Sequence, residues 1–132
     1  GGESPINLYR KCVEYNIDWS NIDLFWGDER YVSQNSKNSN YKLSYDTFIK
    51  KIKINKKNLF PVKTEMNSAI KSSKNYSNLI KKYFKNKNIS FDCFLLGMGN
   101  DGHIASIFPY SVELKKNLFQ DLFTEKILPE LL

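Results

Sequence analysis

The sequence predicts an α/β fold built on a parallel sheet, and three observations carry that expectation. Short apolar runs at Ile22–Trp26, Asn58–Val62 and Phe91–Leu96 alternate with longer stretches whose apolar residues recur at helical spacing. The last run, with Phe91, Cys93, Phe94, Leu95 and Leu96, is nearly continuous rather than alternating, as in a strand covered on both faces. Two of the runs end abruptly in residues with chemistry to offer: Gly27-Asp28-Glu29-Arg30 after the first, and Gly97 to His103 after the last. In a parallel sheet such loops share one edge, where open α/β folds hold their ligands.

The chain has 132 residues, 41% of them hydrophobic and 14% aromatic, so it can bury one core. Residues 1–132 are therefore expected to form a single α/β domain or part of one, with 115–132 unassigned. No apolar run approaches the roughly twenty residues of a membrane span. The start, GGESP, lacks the basic and then apolar pattern of a leader. Cys12 falls on a predicted helix and Cys93 in a predicted buried strand, an unpromising disulfide pair, so a reducing, cytoplasmic setting is the simpler expectation. The net charge of +6 comes almost wholly from lysine, much of it in Lys50–Asn58 and Lys71–Asn88. These look like solvated helix faces, and neither a recognition-helix pattern nor an aromatic RNA-binding strand accompanies them. The charge fits a small anionic substrate as well as it fits nucleic acid, and a lysine-rich compositional bias better than either; no nucleic acid, membrane, metal or cofactor is expected as partner.

In chain order, Ser4 as N-cap and Pro5 at the first helical position open a helix on which Ile6, Tyr9 and Val13 share a face. Gly1 and Gly2 before it expose backbone N–H groups at the positive end of the dipole, a common phosphate cradle, although the sequence alone favours an ordinary capped helix. Ile22–Trp26 is the next strand, and Arg30 beyond it carries a forked guanidinium suited to phosphate or carboxylate. Tyr31–Ser39 is a polar loop long enough to serve as a lid or substrate loop. A helix over Asn40–Ile52 follows, with Tyr41, Tyr45, Phe48, Ile49 and Ile52 facing the core, and then a short strand stopped by Pro61. Glu65–Lys85 is the longest helical pattern, with Met66, Ala69, Ile70, Tyr76, Ile80, Tyr83 and Phe84 as its inward stripe. Then comes the strand at Phe91, a turn containing Gly97, Gly99 and Gly102, and a short helical segment. Three glycines so close together allow positive φ and close approach to a ligand. Asp101 and His103, the only histidine, flank the last of them. Past Pro109, Val112–Phe123 reads as helical at most.

Two stretches then carry a resemblance: FWGDERYV at Phe25–Val32 with SNY at Ser39–Tyr41, and FDCFLLGMGNDGHIASIFP at Phe91–Pro109. Together they resemble the signatures of the 6-phosphogluconolactonases, in the larger family that also holds the glucosamine-6-phosphate deaminases. Gly1–Pro5 is similar to that family's Gly-Gly-Ser-Thr-Pro phosphate loop, with Glu3 where serine is usual. A carboxylate there repels phosphate unless it turns away. Asn100 replaces a common proline. The deaminases share Asp101-Gly102-His103-Ile104-Ala105 but continue Phe-Asn-Glu-Pro, whereas Ser106-Ile107-Phe108-Pro109 follows here, as in the lactonases.

The resemblance implies a three-layer sandwich around a mostly parallel, Rossmann-like sheet, incomplete at both ends because family members are longer. It implies hydrolysis of 6-phospho-D-glucono-1,5-lactone in the pentose phosphate pathway, with no cofactor. His103 would be the general base, with Asp101 orienting it. Gly1, Gly2, Ser4, Arg30, Asp28, Asn40, Gly97, Gly99 and Gly102 would bind substrate, the amides of the glycine turn facing the oxyanion. Some relatives are implied to be fused to glucose-6-phosphate dehydrogenase. Two other readings stay open: a sugar-phosphate isomerase or deaminase, which needs a second acid this segment lacks, and a sugar-phosphate-binding module without catalysis.

Overall fold

The computed structural model describes residues 5–85, 87–104 and 109–110. Helix α1 spans Ile6–Glu14, strand β1 Leu24–Phe25, helix α2 Asn40–Thr47, strand β2 Leu59–Phe60 and helix α3 Ala69–Tyr83. The expected helix at Val112–Phe123, and the cap Ser4, lie outside the described residues.

The two strands pair in parallel, Leu24 opposite Leu59 and Phe25 opposite Phe60. Parallel neighbours require a crossover, and the intervening chain with α2 supplies it. The register is fixed at its start by Asn58, whose Nδ2 donates to the carbonyls of Ser20 (3.3 Å) and Ile22 (3.2 Å). Stacking of the Phe25 and Phe60 rings, centroids 4.5 Å apart, holds it further along. Side chains alternate across a strand. Thus Phe25 meets Tyr83 of α3, whereas the next residue, Trp26, turns its ring to α2, where Nε1 donates to Ser44 Oγ at 3.2 Å. Helices therefore pack on both faces of the strand pair, the beginning of the expected layered sandwich.

α1 joins the α2 side, its Tyr9 stacking on Phe48 at 4.7 Å. The core gathers Trp19, Trp26, Phe48, Ile49, Val62, Tyr76 and Ile80. At its centre the buried Tyr76 hydroxyl accepts from Trp26 N–H and donates to Trp26 C=O, both at 2.9 Å. One side chain thereby meets both backbone groups of Trp26, just past the end of β1. Burial pushes the Tyr76 hydroxyl's pKa well above its ordinary value, so it stays protonated and can play both parts.

Three expectations change. First, α3 starts at Ala69 behind the N-cap Ser68, whose Oγ accepts from Lys71 N–H, so its buried face is Ser72, Ser73, Tyr76, Ser77 and Ile80. Ile70 is exposed; small serines let α3 approach the sheet more closely than the expected apolar stripe would. Second, Phe91–Leu96 is not a buried strand. Phe91 packs against Phe25 (5.2 Å) and Phe84 (5.1 Å), but Leu95 and Leu96 are 68% and 53% exposed. Burying both faces of a strand takes a layer on each side, and the described residues cover one. Third, the helix over Asn40–Ile52 is broken: α2 ends at Thr47, and a single 3-10 turn, Ile49–Lys51, completes the stretch.

Candidate active site

Two loops leave neighbouring chain segments on one side of the molecule. Phe91 packs on Phe25, and the Phe94 ring lies 3.5 Å from where a β-carbon on Gly27 would sit, so contact advances in the same direction along both segments. Residues 91–97 therefore run alongside β1 and parallel to it, although no ladder bonds join them. The loop at residues 27–30 and the turn at 97–103 emerge at the same end.

The first loop is built around a residue that sequence reasoning passed over. Glu29 is 1% exposed, and its carboxylate accepts four hydrogen bonds. Oε1 takes Arg30 N–H (2.8 Å) and Asn40 N–H (2.7 Å); Oε2 takes Tyr41 N–H (2.8 Å) and the Ser39 hydroxyl (3.1 Å). Asn40 and Tyr41 are the first residues of α2, whose amides have no intrahelical partner and carry the positive end of the dipole. Ser39 Oγ completes the cap by accepting from Lys42 N–H at 3.1 Å. A buried carboxylate is tolerated because each oxygen is doubly satisfied.

That knot sets the positions of Asp28, Arg30 and Asn40. Arg30 is exposed, and its Nη1 donates to the Asn38 carbonyl at 3.2 Å, which turns the guanidinium toward the start of α2. Asp28 is half-buried; its carbonyl accepts from Asn40 Nδ2 at 3.2 Å. Burial raises the pKa of the Tyr9 hydroxyl on α1, and the nearby Asp28 charge raises it further. Asn40 is buried and its amide is committed inward, with Oδ1 lacking a partner. The stretch after Arg30 is not a loose lid. Thr64 Oγ1 donates to Val32 C=O (2.5 Å), Gln34 Nε2 to Val62 C=O (2.9 Å), and Tyr31 OH to Met66 C=O, so it is stitched to residues 62–66.

The second loop closes on itself. Met98 and Ile104 form an antiparallel bridge, Gly99 N–H donates to His103 C=O (2.8 Å), and Gly102 N–H donates to Gly99 C=O (2.9 Å). Gly102 has φ +85°, a conformation that only glycine adopts freely. A methyl group on Gly99 would collide with the His103 ring and with Asp101 Oδ1. These bonds correct one expectation. The amides of Gly99 and Gly102 are consumed by the turn, so these glycines shape the loop and do not offer donors to an oxyanion. Gly97 stands in open space.

The turn brings Asp101 and His103 into contact. His103 Nδ1 lies 2.5 Å from Asp101 Oδ1, and His103 N–H reaches the same oxygen at 3.3 Å. Hydrogen bonds from the imidazole first, and from the His103 amide second, hold the Asp101 carboxyl below the usual carboxylate range. Asp101 is thus ionised across neutral pH and accepts only, which makes Nδ1 the donor; in a neutral imidazole so held the lone pair falls on Nε2. The His103 side chain is 34% exposed, open to solvent and not sealed in the core. Gly1, Gly2 and Ser4 lie outside the described residues. No helix among the described residues is long and apolar enough to cross a membrane, and none of their His, Cys, Asp and Glu gather in a group that would hold a metal.

Residues 1–124 match the family described as glucosamine-6-phosphate isomerases/6-phosphogluconolactonase. The chain is 41% identical over 122 residues to 6-phosphogluconolactonase 3, chloroplastic, of Arabidopsis thaliana, covering 82% of this chain and 37% of that protein. It is 33% identical over 117 residues to the 6-phosphogluconolactonase of Synechocystis, covering 86% of this chain and 49% of that one. Its fold is similar to the crystal structure of the Thermotoga maritima 6-phosphogluconolactonase, with a TM-score of 0.74 and 35% identity over 83% of this chain and 48% of that one. The chain thus spans less than half the length of each of these relatives.

Two substitutions test this architecture. Glu29→Gln places an amide NH₂ against two of the four donors, and chemical denaturation should show a loss of about 2–4 kcal/mol. An unchanged stability would mean that the knot does not hold the loop. Gly99→Ala should push the His103 ring off Asp101 and lower turnover about 10- to 100-fold, since small misplacements of a reacting group are that costly, while the unfolding midpoint hardly moves. Parallel loss of fold and activity would instead make Gly99 structural only.

Proposed function

We propose, because the chain belongs to the glucosamine-6-phosphate isomerase/6-phosphogluconolactonase family, that its activity is hydrolysis of 6-phospho-D-glucono-1,5-lactone to 6-phospho-D-gluconate. The observation that carries this reading is the Asp101–His103 pair, a polarised imidazole at a solvent-open turn. A lactone is an activated ester, so a positioned base and a held substrate suffice to accelerate its opening.

In this mechanism His103 Nε2 takes a proton from water as the water oxygen adds to the C1 carbonyl. Asp101 stabilises the imidazolium through Nδ1–H. Collapse of the tetrahedral intermediate breaks the bond from C1 to the ring oxygen, which takes the proton back from Nε2. The products are a hydroxyl and a carboxylic acid that ionises at neutral pH. Negative charge at C1 in the intermediate calls for donors; Gly97, with open space around it, is the glycine of the turn that can meet it.

The phosphate falls to Arg30 and to the start of α1, whose first turn has no acidic residue and whose N-cap, Pro5, offers no side-chain acceptor. Among the described residues no acidic side chain opposes the dipole there, a setting that favours an anion. Gly1, Gly2 and Ser4 belong to this subsite by resemblance. Asp28 and Asn40 are assigned to holding the loop at its edge. Residues 1–132 are part of one α/β domain in this reading, with 115–132 unassigned, and the substrate is supplied by a sugar-phosphate dehydrogenase, fused or separate. The free thiols of Cys12 and Cys93 fit a reducing, cytoplasmic setting.

Lactone opening releases a proton and is followed directly by titration at constant pH. His103→Asn should lower kcat about 10²- to 10⁴-fold, the usual contribution of a general base. Near-normal turnover in that variant would remove His103 from the mechanism. Release of ammonia from glucosamine 6-phosphate would favour the deaminase reading instead.

A further inference from the structure

Between α1 and the start of α2 lies a cleft of about 270 Å³ lined by Ile6, the first residue of α1, and by Arg30, Lys37, Asn38 and Asn40. Two of these side chains are cations, and no carboxylate lines the cleft among the described residues. The loop fixes where both cations start from. Arg30 is tied to Asn38 C=O, and the backbone around Lys37 is held in a turn by Ser39 N–H to Ser36 C=O (3.0 Å) and Asn38 N–H to Ser36 Oγ (3.2 Å). The Lys37 side chain itself is exposed. Surface lysines on α2 and the 3-10 turn after it are engaged: Lys42 and Lys50 both pair with Asp46.

We propose that Lys37 is a second cation of the sugar-phosphate site, sharing the phosphate with Arg30 and setting the preference for a phosphorylated over a neutral lactone. The inference rests on the lactonase reading above and deepens it. A phosphate monoester carries nearly two negative charges at neutral pH. One guanidinium already committed to a backbone carbonyl neutralises only part of that. A flexible ammonium across the same cleft supplies the remainder as a point charge, without the geometry of a fork.

The test compares 6-phosphoglucono-1,5-lactone with glucono-1,5-lactone in the intact protein and in Lys37→Gln and Lys37→Arg. The expected result is a KM for the phosphorylated lactone raised about 5- to 20-fold in K37Q, a corresponding fall in its preference over the neutral lactone, and recovery to within about threefold in K37R. The K37Q effect should shrink as salt is raised, because the cation is exposed. An unchanged preference in K37Q overturns the inference and leaves the lactonase reading standing. If the unsubstituted protein opens neither lactone, the lactonase reading fails. Calorimetric binding of 6-phosphogluconate then decides Lys37, and equal affinity in K37Q overturns its role.

Discussion

A buried carboxylate that must find four donors is the constraint around which this structure is arranged. Glu29 finds them at Arg30, Ser39, Asn40 and Tyr41, which means that the loop after β1 and the first turn of α2 cannot move independently. Removing any one donor would leave an uncompensated lone pair on a charge shut off from water, at a cost far above that of an ordinary surface hydrogen bond. The geometry of the loop is therefore strongly determined although it contains no regular structure. Arg30 gains its direction from this knot, and Trp26 just before it is pinned by Tyr76 from α3.

The glycine turn solves a different problem. Its task is to bring a histidine ring and a carboxylate two residues apart into contact while keeping the ring open to solvent. Gly102 takes up a backbone conformation that other residues resist, and Gly99 leaves the space the imidazole occupies. The cost is that the amides of both are spent inside the turn. Stability and function divide along these lines: one loop is made rigid by a buried charge, the other by backbone bonds among small residues.

Much of this was legible in the sequence. Pro5 opening α1, the strands around Leu24 and Leu59, and the existence of a long third helix follow from local chemistry and periodicity, and all appear, although that helix starts at Ala69 and not at Glu65. So does the pairing of Asp101 with His103, because contact between residues two apart across a glycine turn is a local matter. Glu29 was not legible. Three of its four partners are 10 to 12 residues away, and three of the four are backbone amides, which every sequence possesses. The exposure of Ile70 escaped for a related reason: the helical period was right, but its phase was set by the Ser68 cap and by the serines that let α3 close on the sheet. At Leu95 and Leu96 composition announced burial, and burial depends on what lies across from a residue as well as on the residue itself.

The central claim is that the imidazole on the glycine turn and the cations around the start of α2 surround one phosphorylated sugar. His103 is the only histidine, so its Cε1 proton gives a single imidazole signal in proton NMR that needs no assignment among histidines. Titration with 6-phosphogluconate should move that signal saturably, in step with the phosphorus resonance of the ligand, while gluconate at equal ionic strength moves it far less. A phosphorus resonance that titrates while the imidazole signal stays fixed would place the phosphate site and His103 in separate environments and contradict the account.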